Sequence, residues 1–136
     1  MELLNKKLDN VLEQAKKDRE VIAVILYGSV SRGEQRKDSD IDICLVLKED
    51  YPKTKFTEKR LEYLKNVGVD IDIQIFQQLP LYIRKEVLKG KILISKDEDK
   101  LYELAYKTIK EFEDFRKYYY DYLNSIYERK NPIKNR

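Results

Sequence analysis

The chain has no histidine among its 136 residues. That absence excludes Ser-His-Asp and Cys-His nucleophilic catalysis, His-ligated zinc, and ribonuclease mechanisms that need an imidazole. Cysteine occurs once, as Cys44 inside an apolar stretch. No internal disulfide can form, and a reducing, cytoplasmic compartment is expected. The longest apolar run, Val21–Tyr27, has seven residues, far short of the roughly 20 that span a bilayer as a helix. The opening Met-Glu-Leu-Leu-Asn-Lys-Lys lacks the apolar core of a secretory signal. An excess of one charge is missing too. Lys and Arg number 28 against 25 Asp and Glu, a net +3, so there is no general case for direct nucleic-acid binding. No internal repeat or low-complexity segment appears. The length predicts a single domain over residues 1–130, with a flexible basic tail at 131–136. Any catalysis must run on carboxylates, a metal and the substrate's own groups.

What is present concentrates between Val21 and Leu47. The run Val21-Ile-Ala-Val-Ile-Leu-Tyr27 is rich in β-branched residues and is ended by Gly28, which predicts a buried strand. Gly28-Ser29 begins a polar turn where backbone amides can approach an anion without a side chain in the way. Ten residues later, Asp40-Ile-Asp42 opens a second apolar run that reaches Leu47. Alternation along a strand puts Asp40 and Asp42 on one face, about 6–7 Å apart, and turns Ile41, Ile43 and Leu45 into a core. Two unneutralised carboxylates on a partly buried face are costly, and a divalent cation removes that cost. Oxygen-only ligands beside a glycine-serine turn suit Mg²⁺ carrying a nucleotide's phosphates. A short helical turn from Ser29 would aim amides at phosphate. Arg32 is placed either to meet that phosphate or to form a surface pair with Glu34 or Asp38.

The remaining chain predicts a mixed α/β sheet covered on one face by helices. Leu4, Leu8, Val11, Leu12 and Ala15 give Glu2–Arg19 a helical stripe. Thr57 is expected to cap a helix running to about Val67, with Phe56 and Leu61 as a hydrophobic staple. Val69–Phe76 alternates as a half-buried strand, with Val69, Ile71, Ile73 and Ile75 facing inward. Asp70, Asp72 and Gln74 would share its other face, where a third carboxylate completes the metal site. A short helix at Leu79–Leu88 and an edge strand at Ile92–Ile94 follow. Asp97 opens a long helix reaching about Arg129, with a seam of Leu101, Ala105, Thr108, Phe112, Phe115, Tyr119, Tyr122 and Ile126. That helix holds seven of the chain's eleven tyrosines. At about 45–50 Å it is longer than a domain of this size can bury. Its distal part is expected to meet another chain, the same or a different one.

Gly28-Ser29, ten residues, then Asp40-Ile-Asp42 resembles the motif of the nucleotidyltransferase superfamily related to DNA polymerase β. An Arg-Gly commonly sits in that interval in the family, as Arg32-Gly33 does here. The family's third acid lies about nine residues before a helix start like Leu81-Tyr82-Ile83, which favours Asp72 over Asp70. More narrowly, residues 81–94 and the long last helix resemble the minimal nucleotidyltransferases, in particular the MntA-type antitoxins. The resemblance implies a Mg²⁺-dependent transfer of AMP from ATP to a tyrosine hydroxyl of an all-helical HEPN-type toxin. Asp40, Asp42 and Asp72 would hold two Mg²⁺ ions, and Gly28, Ser29 and Arg32 the nucleotide. Two rivals remain. Transfer to a small molecule is one, although relatives that do this carry an additional substrate domain. The other is a non-catalytic module that silences its partner by occlusion.

Overall fold

The computed structural model describes residues 2–28 and 41–132. Helix α1 (Glu2–Lys17) leads into β1 (Val21–Tyr27), and β2 (Ile41–Leu47) follows. Helix α2 (Phe56–Leu64) carries the chain across to β3 (Ile71–Ile75). Then come α3 (Leu81–Val87), β4 (Lys91–Ser95) and α4 (Glu98–Lys130). The sheet order is β3-β2-β1-β4. β1 runs antiparallel to both β2 and β4, while β2 and β3 are parallel. A parallel pair needs a crossover, and α2 supplies it.

Both faces of the sheet are covered, not one as the sequence predicts. Val24, Ile43, Leu45, Ile73 and Ile75 pack under Val11 and Ala15 of α1 and Phe56 and Tyr63 of α2. Ala23, Ile25, Cys44 and Val46 pack on the opposite side with Phe76, Val87 of α3 and Leu101 of α4. The reason lies in β2, where Asp42 is the only polar residue, so nearly the whole strand needs cover on each side.

Four local expectations change. The helix at Phe56 starts without a side-chain cap, because a 3-10 turn at Lys53–Lys55 has already wound the chain. Thr57 Oγ1 instead accepts a hydrogen bond from Gln78 Nε2 at 3.3 Å. Leu61 is exposed, and Phe56 stacks on Tyr51 with ring centroids 6.0 Å apart, in place of the staple. Val69 is 92% exposed, since the β2–β3 ladder begins only at Ile41 and Ile71, and Val69 and Asp70 form the turn before it. Helix α1 stops at Lys17, two residues early; Lys96 Nζ closes its end by donating to the carbonyls of Ala15 and Asp18.

The last helix divides as its length demands. Asp97 caps it by accepting from the Lys100 amide at 3.1 Å, and Glu98 and Asp99 face the positive end of its dipole. Leu101 and Thr108 are buried, and Leu104 and Phe112 are half-buried. Lys85 of α3 lies over the Phe112 ring at 4.2 Å, and Arg84 reaches Glu111 at 3.7 Å. Beyond Phe112, Phe115, Tyr118, Tyr119, Tyr120, Tyr122 and Tyr127 are all exposed.

Candidate functional site

The register of three strands brings the site together. Tyr27, the last residue of β1, stands opposite Asp42 on β2, and Asp42 stands opposite Asp72 on β3. Directly paired residues point to the same side of a sheet, with strands about 4.8 Å apart. Tyr27, Asp42 and Asp72 therefore form one row on the face that also carries Ile25 and Cys44. All three are partly buried.

Gly28 follows with φ of 80°, a left-handed conformation that glycine adopts without strain. A Cβ added there would strike Oδ2 of Asp42. The Asp42 carboxylate thus lies against bare backbone at the strand end. Of the residues the sequence singles out, Gly28, Asp42 and Asp72 are brought together. Ser29, Arg32 and Asp40 lie outside the described residues.

Asp72 is held on both oxygens. Arg60 Nη2 of α2 lies 3.4 Å from Oδ1, and Gln74 Nε2 donates to Oδ2 at 2.9 Å. Asp70 does not share this face. It sits in the turn, exposed, with its carboxylate 3.5 Å from Lys7 Nζ of α1. Register with Asp42 belongs to Asp72.

Sequence reasoning misses Tyr27 and Arg60. Burial, then the neighbouring Cys44, Asp42 and Asp72, raises the Tyr27 hydroxyl well above its ordinary pKa. It stays a neutral hydroxyl beside two acids. Its only signal in the sequence is its place just before Gly28. Arg60 gives none, being one more cation on a mixed helix.

The donor set fits a hard divalent cation. Asp42 and Asp72 offer carboxylate oxygens in adjacent register, and Gly28, bare of a side chain, lets the Asp42 carboxylate lie against its backbone. The Cys44 thiol on the same face is fully buried, and burial pushes its pKa up, so it offers no thiolate. A cleft of about 530 Å³ beside the pair is lined by Asp42, Asp72, Leu64, Gly68 and Val69. Another of about 500 Å³ lies at the far end of the sheet, around Leu47, Tyr51 and Lys100, and includes none of the candidate acids.

Residues 6–99 match the model of the family described as Polymerase beta, Nucleotidyltransferase. A candidate protein adenylyltransferase of Methanocaldococcus jannaschii is 41% identical over 97 residues, 71% of this chain and 74% of its own. A second from the same organism is 27% identical over 140 residues, spanning 96% of this chain and 88% of its own. Among solved structures, a toxin–antitoxin with AMP-PNP superposes with a TM-score of 0.65 at 20% identity, covering 89% of this chain and 96% of that one. A complex of tri-AMPylated Shewanella oneidensis HEPN toxin with MNT antitoxin gives a TM-score of 0.62 at 17% identity, covering 92% and 97%. At these identities the structural likeness shows the fold.

Proposed function

Because the chain belongs to the polymerase beta nucleotidyltransferase family, we propose that it moves AMP from ATP onto a tyrosine hydroxyl of a helical HEPN-type toxin and so acts as that toxin's antitoxin. The observation that carries this reading is the alignment of Asp42 with Asp72 beside Gly28. In the proposed reaction the tyrosine oxygen attacks the α-phosphorus of ATP. The bond from that phosphorus to the β-phosphate oxygen breaks, pyrophosphate departs, and the hydroxyl proton passes to solvent.

Asp42, Asp72 and Asp40 would hold two Mg²⁺ ions. Bound there, Mg²⁺ would make the acceptor hydroxyl more acidic and neutralise charge on the triphosphate and the leaving pyrophosphate. Gly28, bare of a side chain, would let amides of the turn approach the phosphates, with Ser29 and Arg32 completing that contact. Tyr27, kept protonated, would donate to a carboxylate or phosphate oxygen and remain in place. No protein base is needed for a tyrosine hydroxyl of pKa near 10, which accords with a chain lacking histidine.

The partner reading draws on two supports. The distal half of α4 exposes a run of aromatic rings suited to a protein surface. Structures of similar fold are named as toxin–antitoxin complexes, one with AMP-PNP and one with an AMPylated HEPN toxin. No helix among the described residues is long and apolar enough to cross a membrane. A buried, reduced Cys44 suits the cytoplasm.

The same exposed aromatic surface also favours a second reading, in which docking alone silences the toxin. Co-expression with the partner separates the two. Mass spectrometry should find AMP on a partner tyrosine with the wild type, and none with the double variant D40N/D42N. A partner that carries no adduct yet is fully neutralised by that double variant would establish occlusion and end the enzymatic reading.

A further inference from the structure

Both carboxylate oxygens of Asp72 are engaged, and by unlike partners. Gln74 comes from the same strand and donates a neutral hydrogen bond at 2.9 Å. Arg60 comes from α2 and brings a full charge, but only to 3.4 Å. Arg60 is itself fastened elsewhere: its Nε donates to the carbonyl of Ile73 at 2.6 Å. Among the described residues β3 is an edge strand, so its outer carbonyls have no neighbouring strand there to accept from. The guanidinium is pinned by one bond and leans loosely on Asp72 with another.

We propose that Arg60 is a positioning residue that holds Asp72 as a tethered counter-ion, so that a divalent cation binds at Asp42 and Asp72 by displacing the guanidinium from Oδ1. The inference rests on the metal-site reading of the preceding section. Three features support the exchange. A 3.4 Å contact is at the weak end for a charged hydrogen bond. The two side chains are 34% and 37% exposed, and ion pairs of that exposure contribute little to stability. The pair can therefore orient the carboxylate and still open readily. Third, Arg60 need not leave when it opens, because the Ile73 bond keeps it beside the site. A lysine there would bring charge without the fork that serves the carbonyl and the carboxylate together.

The sign of the effect follows from Coulomb's law. A cation tethered beside Asp72 offsets part of the repulsion between the two acids and opposes an arriving divalent ion. Removing the charge should tighten binding of the bare ion, whereas loss of a merely structural contact should not.

Calorimetric titration of the full chain with Mn²⁺ alone tests this, using wild type, R60Q, R60K and D72N. Glutamine keeps a donor for the Ile73 carbonyl but removes the charge. R60Q should bind Mn²⁺ several-fold to about tenfold tighter than wild type, and added KCl should shrink the difference. R60K should stay close to wild type. Equal or weaker binding by folded R60Q would overturn the proposal and leave Arg60 as cover for a strand edge. Should R60Q not fold, wild-type NMR decides: with Mg²⁺ added, the Asp72 carboxyl and the Arg60 Nη signals should shift together while Nε–H stays protected. Arg60 signals that stay still while Asp72 responds would overturn the proposal as well. Mn²⁺ binding that is lost in D72N but unchanged in R60Q removes this inference alone. A wild type that binds no Mn²⁺ removes the metal site with it.

Discussion

Asp42 of β2 and Asp72 of β3 stand side by side in a parallel ladder, two like charges one strand spacing apart. Such a pair stabilises nothing by itself, since like charges in adjacent register repel. D42N and D72N should each still fold, since an amide of the same shape replaces the carboxylate. Each should weaken Mn²⁺ binding at least tenfold and lower nucleotidyl transfer by about 10²-fold or more, the scale seen when a charge-stabilising group is removed. D70N should not weaken Mn²⁺ binding or transfer, because the Asp70 carboxylate is exposed and lies beside Lys7 of α1. A D70N variant that lost metal while D72N kept it would move the third ligand to Asp70.

Gly28 makes a sharper test of the same corner. Its φ of 80° disfavours any side chain, and a Cβ would collide with the Asp42 carboxylate. G28A should therefore cost about 1–2 kcal/mol for the backbone conformation alone. It should also displace Asp42. Urea denaturation reads the first effect and Mn²⁺ titration the second. If G28A bound Mn²⁺ like wild type, Asp42 would not be a ligand in the place the geometry gives it.

How far the sequence reveals these features depends on whether the information is local. β1 is legible to the residue, because an unbroken apolar run ended by glycine has one reading. Asp97 as a cap and the long reach of α4 are legible for the same reason. Burial on both faces of β2 is not, since Cys44 and Val46 read as strand filler until α3 and α4 are seen to cover them. Val69 continues the alternation of β3 and yet is exposed, because strand pairing, a nonlocal property, begins two residues later. Thr57 has the right chemistry for a cap, but the preceding 3-10 turn removes the need for one. Alternation leaves Asp70 and Asp72 as alternatives, and it is the family resemblance that favours Asp72. Its contacts with Arg60 and the placement of Tyr27 opposite Asp42 depend on tertiary register, which no local pattern records.

A buried polar cluster under α2 sets the pH limits of stability. Asp18 accepts from Lys59 Nζ and from the Tyr63 hydroxyl, each at 2.9 Å, and from the Glu20 amide at 3.0 Å. Burial pushes its pKa up, but these bonds outweigh it and the net shift is downward. For Lys59, burial lowers the pKa and the Asp18 partner more than restores it, so the net shift is upward. A depressed carboxylate contributes stability above its unfolded pKa of about 3.9 and loses it as pH falls through the folded value. A raised lysine contributes below about 10.4 and loses that as pH rises through the folded value. D18N leaves a nearly buried Lys59 with the longer pair to the exposed Glu62, at 3.7 Å, and should cost about 3 kcal/mol near neutrality. Urea titrations of both proteins should show this gap flat between about pH 5 and 10 and narrowing below about pH 4. A gap that stayed constant down to pH 2 would show that the Asp18 charge is not what the cluster uses.

The two halves of α4 should respond oppositely to substitution. Leu101 is 8% exposed and packs with Val87 and Ile25, so L101A should cost about 2–4 kcal/mol through lost contacts and a residual cavity. Tyr119 and Tyr122 are half exposed on the distal half, where Tyr119 stacks on Phe115 at 6.3 Å and makes an edge contact with Tyr120, both on the same helix. Y119D/Y122D should shift the stability of the isolated chain by no more than about 0.5 kcal/mol per site. Against a partner surface the same charges would have to be desolvated beside apolar groups, which costs several kcal/mol, or roughly 10²-fold or more in affinity. Thermal melts of the isolated chain, paired with a pull-down against the co-expressed HEPN-type toxin, separate these effects. Loss of capture with unchanged melting supports docking on distal α4. Loss of melting temperature comparable to L101A would mean that the tyrosines stabilise the chain itself, and intact capture by the double variant would move the interface off this helix.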